Sequence, residues 1–292
     1  MVCYHKKMDE TLNKEIDSII KNNPNMSINE LNKEFQIIVN KYNKMRMEEF
    51  EGLSPENMYN LLYSDWGKNI IKINPDNHNG DDIPIIGQLK YFVNIIKESG
   101  HIKLTKAGYI PPVIVKKIYN EKYISDRMIE MCVTKLTKET DVDNIVTMKI
   151  LCGLAGLTKK RNNVLSLTKN ALSEINSNGI LEKILYVTFK KYNWAYYDYF
   201  ENKYIGQFGN NYTLYLLNKY GSEWKDSGFY ADLYFRAFPK LLEGFEKENN
   251  DICYIIRTFN ILKYFGFIEF KEEKLEIGKI RTTNIFKKYI KI

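Results

Sequence analysis

The sequence predicts a mainly helical protein with short β-hairpins, of the α+β class, on three observations. Apolar residues recur every three or four positions through most of the chain, as they do on the buried faces of amphipathic helices. Short stretches such as LTKKR and VLSLT, separated by turn-forming residues, have the pattern of hairpin strands. A succession of apolar helix, Gly, strand or hairpin, threonine and further helix begins near residues 83, 143 and 247. This succession is the outline of a winged-helix unit, so we expect tandem, degenerate copies of it.

Residues 1–75 predict an N-terminal helical region. Ser27 precedes an apolar stripe and is followed three positions later by Glu30, which is the spacing of a capping box. Ser54 and Pro55 are typical of an N-cap and a first helical position. These signals predict helices that begin just after Ser27 and at Pro55.

Residues 83–178 predict two winged-helix-like units. In the first, a helix ends at Gly100, a short strand follows, and Pro111-Pro112 begin the next helix. We expect a further helix over 126–136, capped by Asp126. In the second unit, Asn162-Asn163 join two strands, because asparagine tolerates the positive φ that a two-residue hairpin turn needs.

Residues 179–246 predict an aromatic-rich helical segment. Aromatic residues such as Trp194, Tyr197, Tyr199, Tyr212 and Tyr230 recur there at roughly helical spacing. They would form an apolar core, or a platform that stacks unpaired bases between neighbouring lysines. The stretch 206–211 (GQFGNN) lacks the spacing of a nucleotide-binding loop and predicts a turn before a helix.

Residues 247–292 predict a C-terminal winged-helix-like unit. We expect a helix over 251–265 with Arg257 on its surface, and a Gly turn after it. A hairpin then pairs FIEFKEE with EIGKIRTT across Lys274-Leu275. A short basic helix or tail follows.

The chain lacks local signatures of catalysis. Its three histidines lie in no metal or nucleophile motif, and no G-x-S-x-G or phosphate loop is present. One polar loop contains possible metal ligands at Asp76, His78, Asp81 and Asp82, but the D-x-D-x-D-G calcium spacing is absent, so we favour a solvated loop. We predict no cofactor, no metal site and no enzyme, although catalytic groups from distant segments would leave no local trace.

Composition leaves the meaning of the charge open. The chain has 44% hydrophobic and 27% charged residues and a formal net charge of +7. This positive net charge would favour binding to nucleic acid. However, an AT-rich genome also encodes proteins rich in Lys, Ile, Asn and Tyr, so the charge has a second explanation in codon composition. No apolar run approaches the ~20 residues that span a bilayer, and the first residues do not resemble a signal peptide. We therefore expect a cytoplasmic protein that does not enter a membrane.

The four cysteines form no C-x-x-C pair, which argues against a zinc knuckle or a thioredoxin-like motif. Cys132 and Cys152 occur in apolar helical stretches. We expect both to be small buried hydrophobes in a reducing compartment.

Four stretches resemble a family of uncharacterised bacterial proteins with degenerate winged-helix-like repeats. They are GLSPENMYNLLY, LTKAGYIPP, GLTKKRNNVLSLTK and RTFNILKYFGFIE, and the resemblance covers most of the chain after about residue 50. The family has no known activity. The resemblance therefore implies a consistent fold and no catalytic residues.

The leading functional hypothesis is a non-enzymatic nucleic-acid-binding or regulatory protein that places basic wings on the phosphates of DNA or RNA. The residues predicted to do so are Lys103, Lys106, Lys159, Lys160, Arg161, Lys279 and Arg281. Such contacts give affinity without sequence information. The rival hypothesis is a protein-interaction scaffold in which the winged units are structural. A single positive face formed by the clusters 159–161 and 279–281 would favour nucleic-acid binding. Clusters scattered among acidic neighbours would favour the scaffold.

Overall fold

The computed structural model describes residues 6–64, 70–74, 79–196, 198, 200–243, 247–273 and 276–292. It is mainly helical, with 57% helix and 10% strand, and its strands form small antiparallel sheets. The predicted α+β class is therefore confirmed. In the described part of the chain, no helix combines the length and apolar character needed to cross a bilayer.

The helices are α1 (Lys6–Asn22), α2 (Ile28–Lys44), α3 (Pro55–Tyr63), α4 (Pro84–Ser99), α5 (Pro112–Asn120), α6 (Arg127–Glu130), α7 (Asp143–Leu154), α8 (Ala171–Ile175), α9 (Ile180–Lys190), α10 (Asn210–Tyr220), α11 (Ser227–Ala237), α12 (Lys247–Tyr264) and α13 (Asn284–Tyr289). Short 3₁₀ turns lie at Glu48–Phe50, Glu139–Asp141 and Pro239–Leu242. The strands are β1 (Lys72–Ile73), β2 (Ile102–Lys103), β3 (Thr158–Arg161), β4 (Val164–Leu167), β5 (Lys225–Asp226), β6 (Ile268–Glu273), β7 (Glu276–Thr282) and β8 (Ile290–Lys291).

Side-chain caps set several helix boundaries where the sequence places them. Ser27 and Glu30 form the reciprocal capping box at the start of α2. The Ser54 hydroxyl caps α3, with Pro55 at the first helical position. The Asp126 carboxylate accepts hydrogen bonds from two backbone N–H groups at the start of α6. All three predicted caps are confirmed.

Apart from the four-residue α6 between α5 and α7, a first succession of elements runs α4, β2, α5, α7, β3 and β4. Its strands form one antiparallel sheet in the order β2-β4-β3. We predicted separate units beginning near residues 83 and 143, but β2 comes from the first stretch and the β3–β4 hairpin from the second. The two stretches share one sheet because β2 has only two residues and pairs with the edge that β4 offers.

A second succession, in the same order, runs α10, β5, α11, α12, β6 and β7. Its sheet has the order β5-β7-β6, with β6 and β7 forming the predicted C-terminal hairpin. The first strand of this sheet comes from the segment that we predicted to be a separate aromatic region. The hairpin tip at Lys274-Leu275 lies outside the described residues.

The third sheet joins distant parts of the chain. Strand β1 pairs with β8, with Lys72 opposite Lys291 and Ile73 opposite Ile290. The Asn74 backbone N–H donates to the Tyr289 carbonyl over 2.9 Å and extends this pairing. Residues near 72 and near 290 are thereby held together.

The buried side chains form one cluster that includes residues of both successions. Tyr212, Tyr230, Tyr234 and Tyr254 are fully buried in it. The rings of Tyr234 and Tyr254 stack with centroids 4.3 Å apart. These residues therefore form core, which excludes them as a stacking platform; Tyr197 and Tyr199 lie outside the described residues.

Two predictions around residue 130 are wrong. Helix α6 ends at Glu130 instead of continuing to residue 136, because the backbone N–H groups of Val133 and Thr134 both return to the Met128 carbonyl. Cys132 adopts a positive φ of 57° in this turn and is exposed. Cys152 is buried in α7, as predicted.

Two other local predictions have clear outcomes. The turn before a helix at 206–211 is confirmed, since Gly209 takes a φ of 71° and α10 begins at Asn210. The surface position of Arg257 is wrong, because that residue is 3% exposed. The Asp198 carboxylate and nearby carbonyl groups bind its guanidinium inside the protein.

The acidic loop before α4 is described in part. Asp81 forms an ion pair with Lys90, and Asp82 forms one with Lys288 over 2.8 Å. Asp76 and His78 lie outside the described residues. Where the structure describes the chain, no three His, Cys, Asp or Glu side chains gather as metal ligands would.

Candidate nucleic-acid interface

The seven predicted phosphate-binding residues lie on two different sheets. Lys103, Lys159, Lys160 and Arg161 belong to the first sheet, and Lys106 follows β2 in the adjoining loop. Lys279 and Arg281 lie in β7 of the second sheet. We call the first group, Lys103, Lys106, Lys159, Lys160 and Arg161, the basic hairpin face.

Strand register places three of these cations on the outer surface of the first sheet. Lys103 and Arg161 both lie opposite Val164, one on each side of β4, so their side chains leave the same face. Lys159 lies two residues before Arg161 and shares that face. The buried residues Ile102 and Leu165 point to the other face, toward the core.

The turn that makes the hairpin also attaches the neighbouring loop. Asn162 and Asn163 take φ values of 47° and 61°, as a two-residue turn of the mirror-image type requires. The Asn163 side-chain amide donates to the Leu104 and Thr105 carbonyls, at 3.3 and 2.5 Å. The Leu104 backbone N–H donates to the Asn163 carbonyl over 2.9 Å. Loop 104–110, which carries Lys106, is therefore fixed beside the hairpin tip.

An ion pair between Glu139 and Lys149 also holds loop 104–110. Glu139 is 1% exposed, and both its carboxylate oxygens lie 3.0 Å from the Lys149 ammonium. Lys149 also donates to the Gly108 carbonyl over 2.8 Å, and the Ile110 backbone N–H donates to Glu139. The buried Glu139 carboxylate is thus paired and hydrogen-bonded, which is the condition under which a buried charge is tolerated.

Lys160 leaves the sheet on the face opposite to that of Lys103, Lys159 and Arg161. Its Cα lies opposite Leu165, but its ammonium reaches the loop, where a Cβ added at Gly108 would lie 2.7 Å from Nζ. Gly108 has a φ of 83°, and its lack of a side chain leaves room for the lysine.

No carboxylate neutralises the basic hairpin face within its own sheet. Strands β2, β3 and β4 contain no Asp or Glu. Across the part of the chain that the structure describes, none of its five cations forms an ion pair. Five cations without an acidic partner are available to bind phosphate.

The second sheet presents a mixed surface. On its outer face, Arg281 pairs with Glu269 over 2.8 Å, and Asp226 lies directly opposite Lys279. Lys271 and Trp224 also contribute to this face, and neither was predicted from the sequence. The alternation of apolar and charged residues along β6 and β7 could have placed Lys271 on this face. Trp224 could not be placed in this way, because the strand that follows it is too short to show a pattern.

The two groups of predicted residues do not form one cluster. A Cβ added at Gly266, near the base of the second hairpin, would lie 3.0 Å from Pro84, the first residue of α4. The first sheet begins just beyond Ser99, the last residue of the same helix. A helix of 16 residues is about 24 Å long. The bases of the two sheets are therefore separated by roughly the length of α4.

Among the described side chains, the helices that precede the two hairpins present no cluster of exposed Lys or Arg residues. Helix α7 is buried over most of its length, including Val146, Thr147 and Met148. The exposed side of α12 carries the apolar Ile252 and Ile256. Helix α7 exposes no Arg, Asn or Gln side chain of the kind that reads base edges, and on α12 the exposed amide among the described side chains is that of Asn249.

No protein-family model matches the chain, and no curated protein or solved structure is similar enough to it to count as a match.

Proposed function

We propose that this chain is a non-enzymatic nucleic-acid-binding protein whose basic hairpin face contacts the phosphates of DNA or RNA. The observation that carries the proposal is the set of five cations, gathered on one sheet and its loop, without acidic partners among the described residues. A cytoplasmic location belongs to the same proposal.

Each repeated succession of elements is, in this proposal, a winged-helix unit, over 84–167 and 210–282. The order of helix, strand, two helices and hairpin, to which the first unit adds the short α6, supports this. A sheet in which the last strand lies between the other two also supports it. The two units predicted over 83–178 are then a single unit. The later part of the predicted aromatic segment, from residue 210, belongs to the C-terminal unit. The basic hairpin is then the wing of the first unit.

The mode of binding that follows is independent of sequence. Contacts to phosphate fix a protein on nucleic acid but carry no base information. Because α7 is buried, the helix before the wing is not placed to read a groove. We therefore expect similar affinity for duplexes of different sequence at a given salt concentration.

The experiment compares the unaltered chain with Lys159→Ala/Lys160→Ala/Arg161→Ala on a labelled duplex by fluorescence anisotropy. Between about 50 and 200 mM salt, affinity for the unaltered chain falls steeply as counterions return to the phosphates. The variant binds more weakly and has a smaller dependence of log K on log salt, by about 1 for each phosphate that it no longer binds.

A matched control carries the same charge change elsewhere. Lys21, Lys33 and Lys44 are exposed on α1 and α2, and their triple replacement by Ala also removes three positive charges. If both triple variants lose affinity equally, net charge explains the binding and the basic hairpin face does not. Absence of binding by the unaltered chain at low salt would rule out the proposed function.

One observation favours the rival role of a protein-interaction scaffold. Met128 of α6 and Met131 and Val133 of the turn that follows it are exposed close together in the chain. Methionine is enriched at protein interfaces, where its flexible side chain adapts to a partner. Crosslinking in cell extract, with Met131→Asp as the negative control, tests this role; equal crosslinking of both proteins would exclude the turn as the contact.

A further inference from the structure

The outer face of the second sheet carries an aromatic ring laid against two cations. Lys271 Nζ lies 4.5 Å from the centroid of the Trp224 ring, and Arg281 Cζ lies 4.8 Å from it. Strands β5 and β7 are antiparallel, with Asp226 opposite Lys279. Trp224 lies two residues before Asp226 and Arg281 two residues after Lys279, so the same register places Trp224 opposite Arg281. The ring therefore extends from the β5 side of the sheet, past Arg281 of β7, toward Lys271 of β6.

Part of the Trp224 side chain is open to solvent. Lys271 and Arg281 extend from the same face of one sheet, because Lys271 is opposite Lys279 and Arg281 lies two residues after Lys279. Trp224, Lys271 and Arg281 therefore share that face of the sheet. Trp224 is only half-buried, unlike the tyrosines of the core. An unpaired base has the flat surface that such a ring stacks against.

Hydrogen-bond donors line a cleft next to this ring. The cleft has a volume of about 240 Å³ and includes Ser222, Arg281, Asn284 and Lys287. Glu269 also lines it and is already bound to Arg281. Two cations, a hydroxyl and an amide next to a ring are the groups that bind a phosphate beside a stacked base.

We propose that Trp224 stacks on an unpaired base of single-stranded nucleic acid while Arg281 and Lys287 contact the adjoining phosphate. This inference rests on the proposed function and adds a second site with a preference that the basic hairpin face lacks. A base inside a duplex is covered by its neighbours and cannot reach the ring. The tryptophan therefore raises the affinity for single strands and leaves the affinity for duplex unchanged.

The test uses two substitutions that differ in the presence of a ring. Trp224→Leu keeps an apolar cover on the sheet but removes the ring, and Trp224→Phe keeps a smaller ring. Anisotropy is measured with oligothymidylate and oligouridylate of about 16 nucleotides, and with a duplex of similar length. Trp224→Leu is expected to lose about fivefold to a hundredfold in affinity for the single strands and less than about twofold for the duplex. Trp224→Phe retains most of the single-strand affinity.

Two further measurements separate stacking from a structural effect. Tryptophan emission of the unaltered chain falls when a single strand binds, and Trp224→Phe abolishes most of that change while still binding. Tyr204→Ala, which removes an aromatic side chain that is 70% exposed outside both sheets, leaves every affinity unchanged. Equal thermal midpoints show that the variants fold.

The possible failures are distinguishable. If Trp224→Leu binds single strands like the unaltered chain while the basic hairpin variant does not, the inference is overturned and the proposed function stands. If Trp224→Leu loses duplex and single-strand affinity equally, the ring is a structural cover and the inference is again overturned. If the unaltered chain binds no oligonucleotide, both proposals fail.

Discussion

At the scale of single residues, Arg257 shows how a charge holds an irregular segment, here residues 200–205 together with Asp198. Its guanidinium binds both carboxylate oxygens of Asp198 and donates to the carbonyls of Phe200, Asn202 and Ile205. The planar fork of arginine suits several acceptors at once, which a lysine would not satisfy. The irregular segment is thereby attached to α12.

Replacement of Arg257 by Ala is expected to destabilise the protein by about 3 to 5 kcal/mol, because Asp198 keeps a charge without its partner. Urea unfolding followed by circular dichroism measures this change. Arg236→Ala provides the control, since Arg236 is half exposed and lies 3.7 Å from Glu51, so its loss costs about 1 kcal/mol or less. Equal losses in the two variants would show that Arg257 is not the anchor.

The burial of Arg257 was not predictable from local sequence. Its helix is amphipathic only weakly, and its partner Asp198 lies 59 positions earlier in the chain. By contrast, the caps at Ser27, Ser54 and Asp126 depend on residues within three positions of each other. Caps can be predicted from the sequence because their partners are close together in the chain. The ion pair between Arg257 and Asp198 cannot, because its partners are distant.

At the scale of elements, the β3–β4 hairpin and loop 104–110 behave as one unit. Asn163 serves both, since its backbone makes the turn and its side chain holds the loop. The position of Lys106 therefore depends on a residue that is not adjacent to it in sequence.

Asn163→Gly separates these two roles. Glycine accepts the positive φ without strain, so the hairpin forms, but the side-chain hydrogen bonds to Leu104 and Thr105 are removed. We expect faster hydrogen exchange in loop 104–110 and unchanged protection in β3 and β4. Asn163→Ala should be less stable than Asn163→Gly by about 1 to 2 kcal/mol, because alanine is strained in the left-handed region. Identical exchange in the glycine variant and the unaltered chain would contradict the role of the side chain.

The hairpin was predictable because its strands and turn lie within ten residues, 158–167. The single sheet that unites 102–103 with this hairpin was not, since a two-residue strand has no periodicity to detect. The candidate site divides in the same way. Lys159, Lys160 and Arg161 were adjacent in sequence, whereas the absence of acidic partners around them, among the described residues, depends on the whole neighbourhood in space.

At the scale of the whole molecule, Glu51 joins the N-terminal region to the second succession of elements. The Tyr215 hydroxyl and the Lys219 ammonium both donate to the Glu51 carbonyl, at 2.9 and 2.7 Å. Tyr220 and Lys219 also donate to its carboxylate. Burial alone would raise the pKa of this carboxyl, but the hydrogen bonds from Tyr220 and Lys219 outweigh burial and hold the pKa below its ordinary value.

This lowered pKa predicts part of the acid sensitivity of the protein. A carboxyl whose pKa is lower in the folded state stabilises the fold above the ordinary glutamate pKa of about 4.3, and that contribution is lost as pH falls through the folded value. Glu51→Gln is therefore expected to lower the urea midpoint at neutral pH and to flatten its decline in acid. Exposed Glu201→Gln is the control. A variant that keeps the full acid decline would show that Glu51 does not contribute to it.

The pairing of β1 with β8 has a consequence for synthesis in the cell. Ile73 and Ile290 are partners although they are 217 positions apart. At elongation rates of about 5 to 20 residues per second, β1 emerges from the ribosome roughly 10 to 45 s before its partner is made. During that interval β1 cannot form its sheet, so this pairing is completed only after synthesis has reached residue 291.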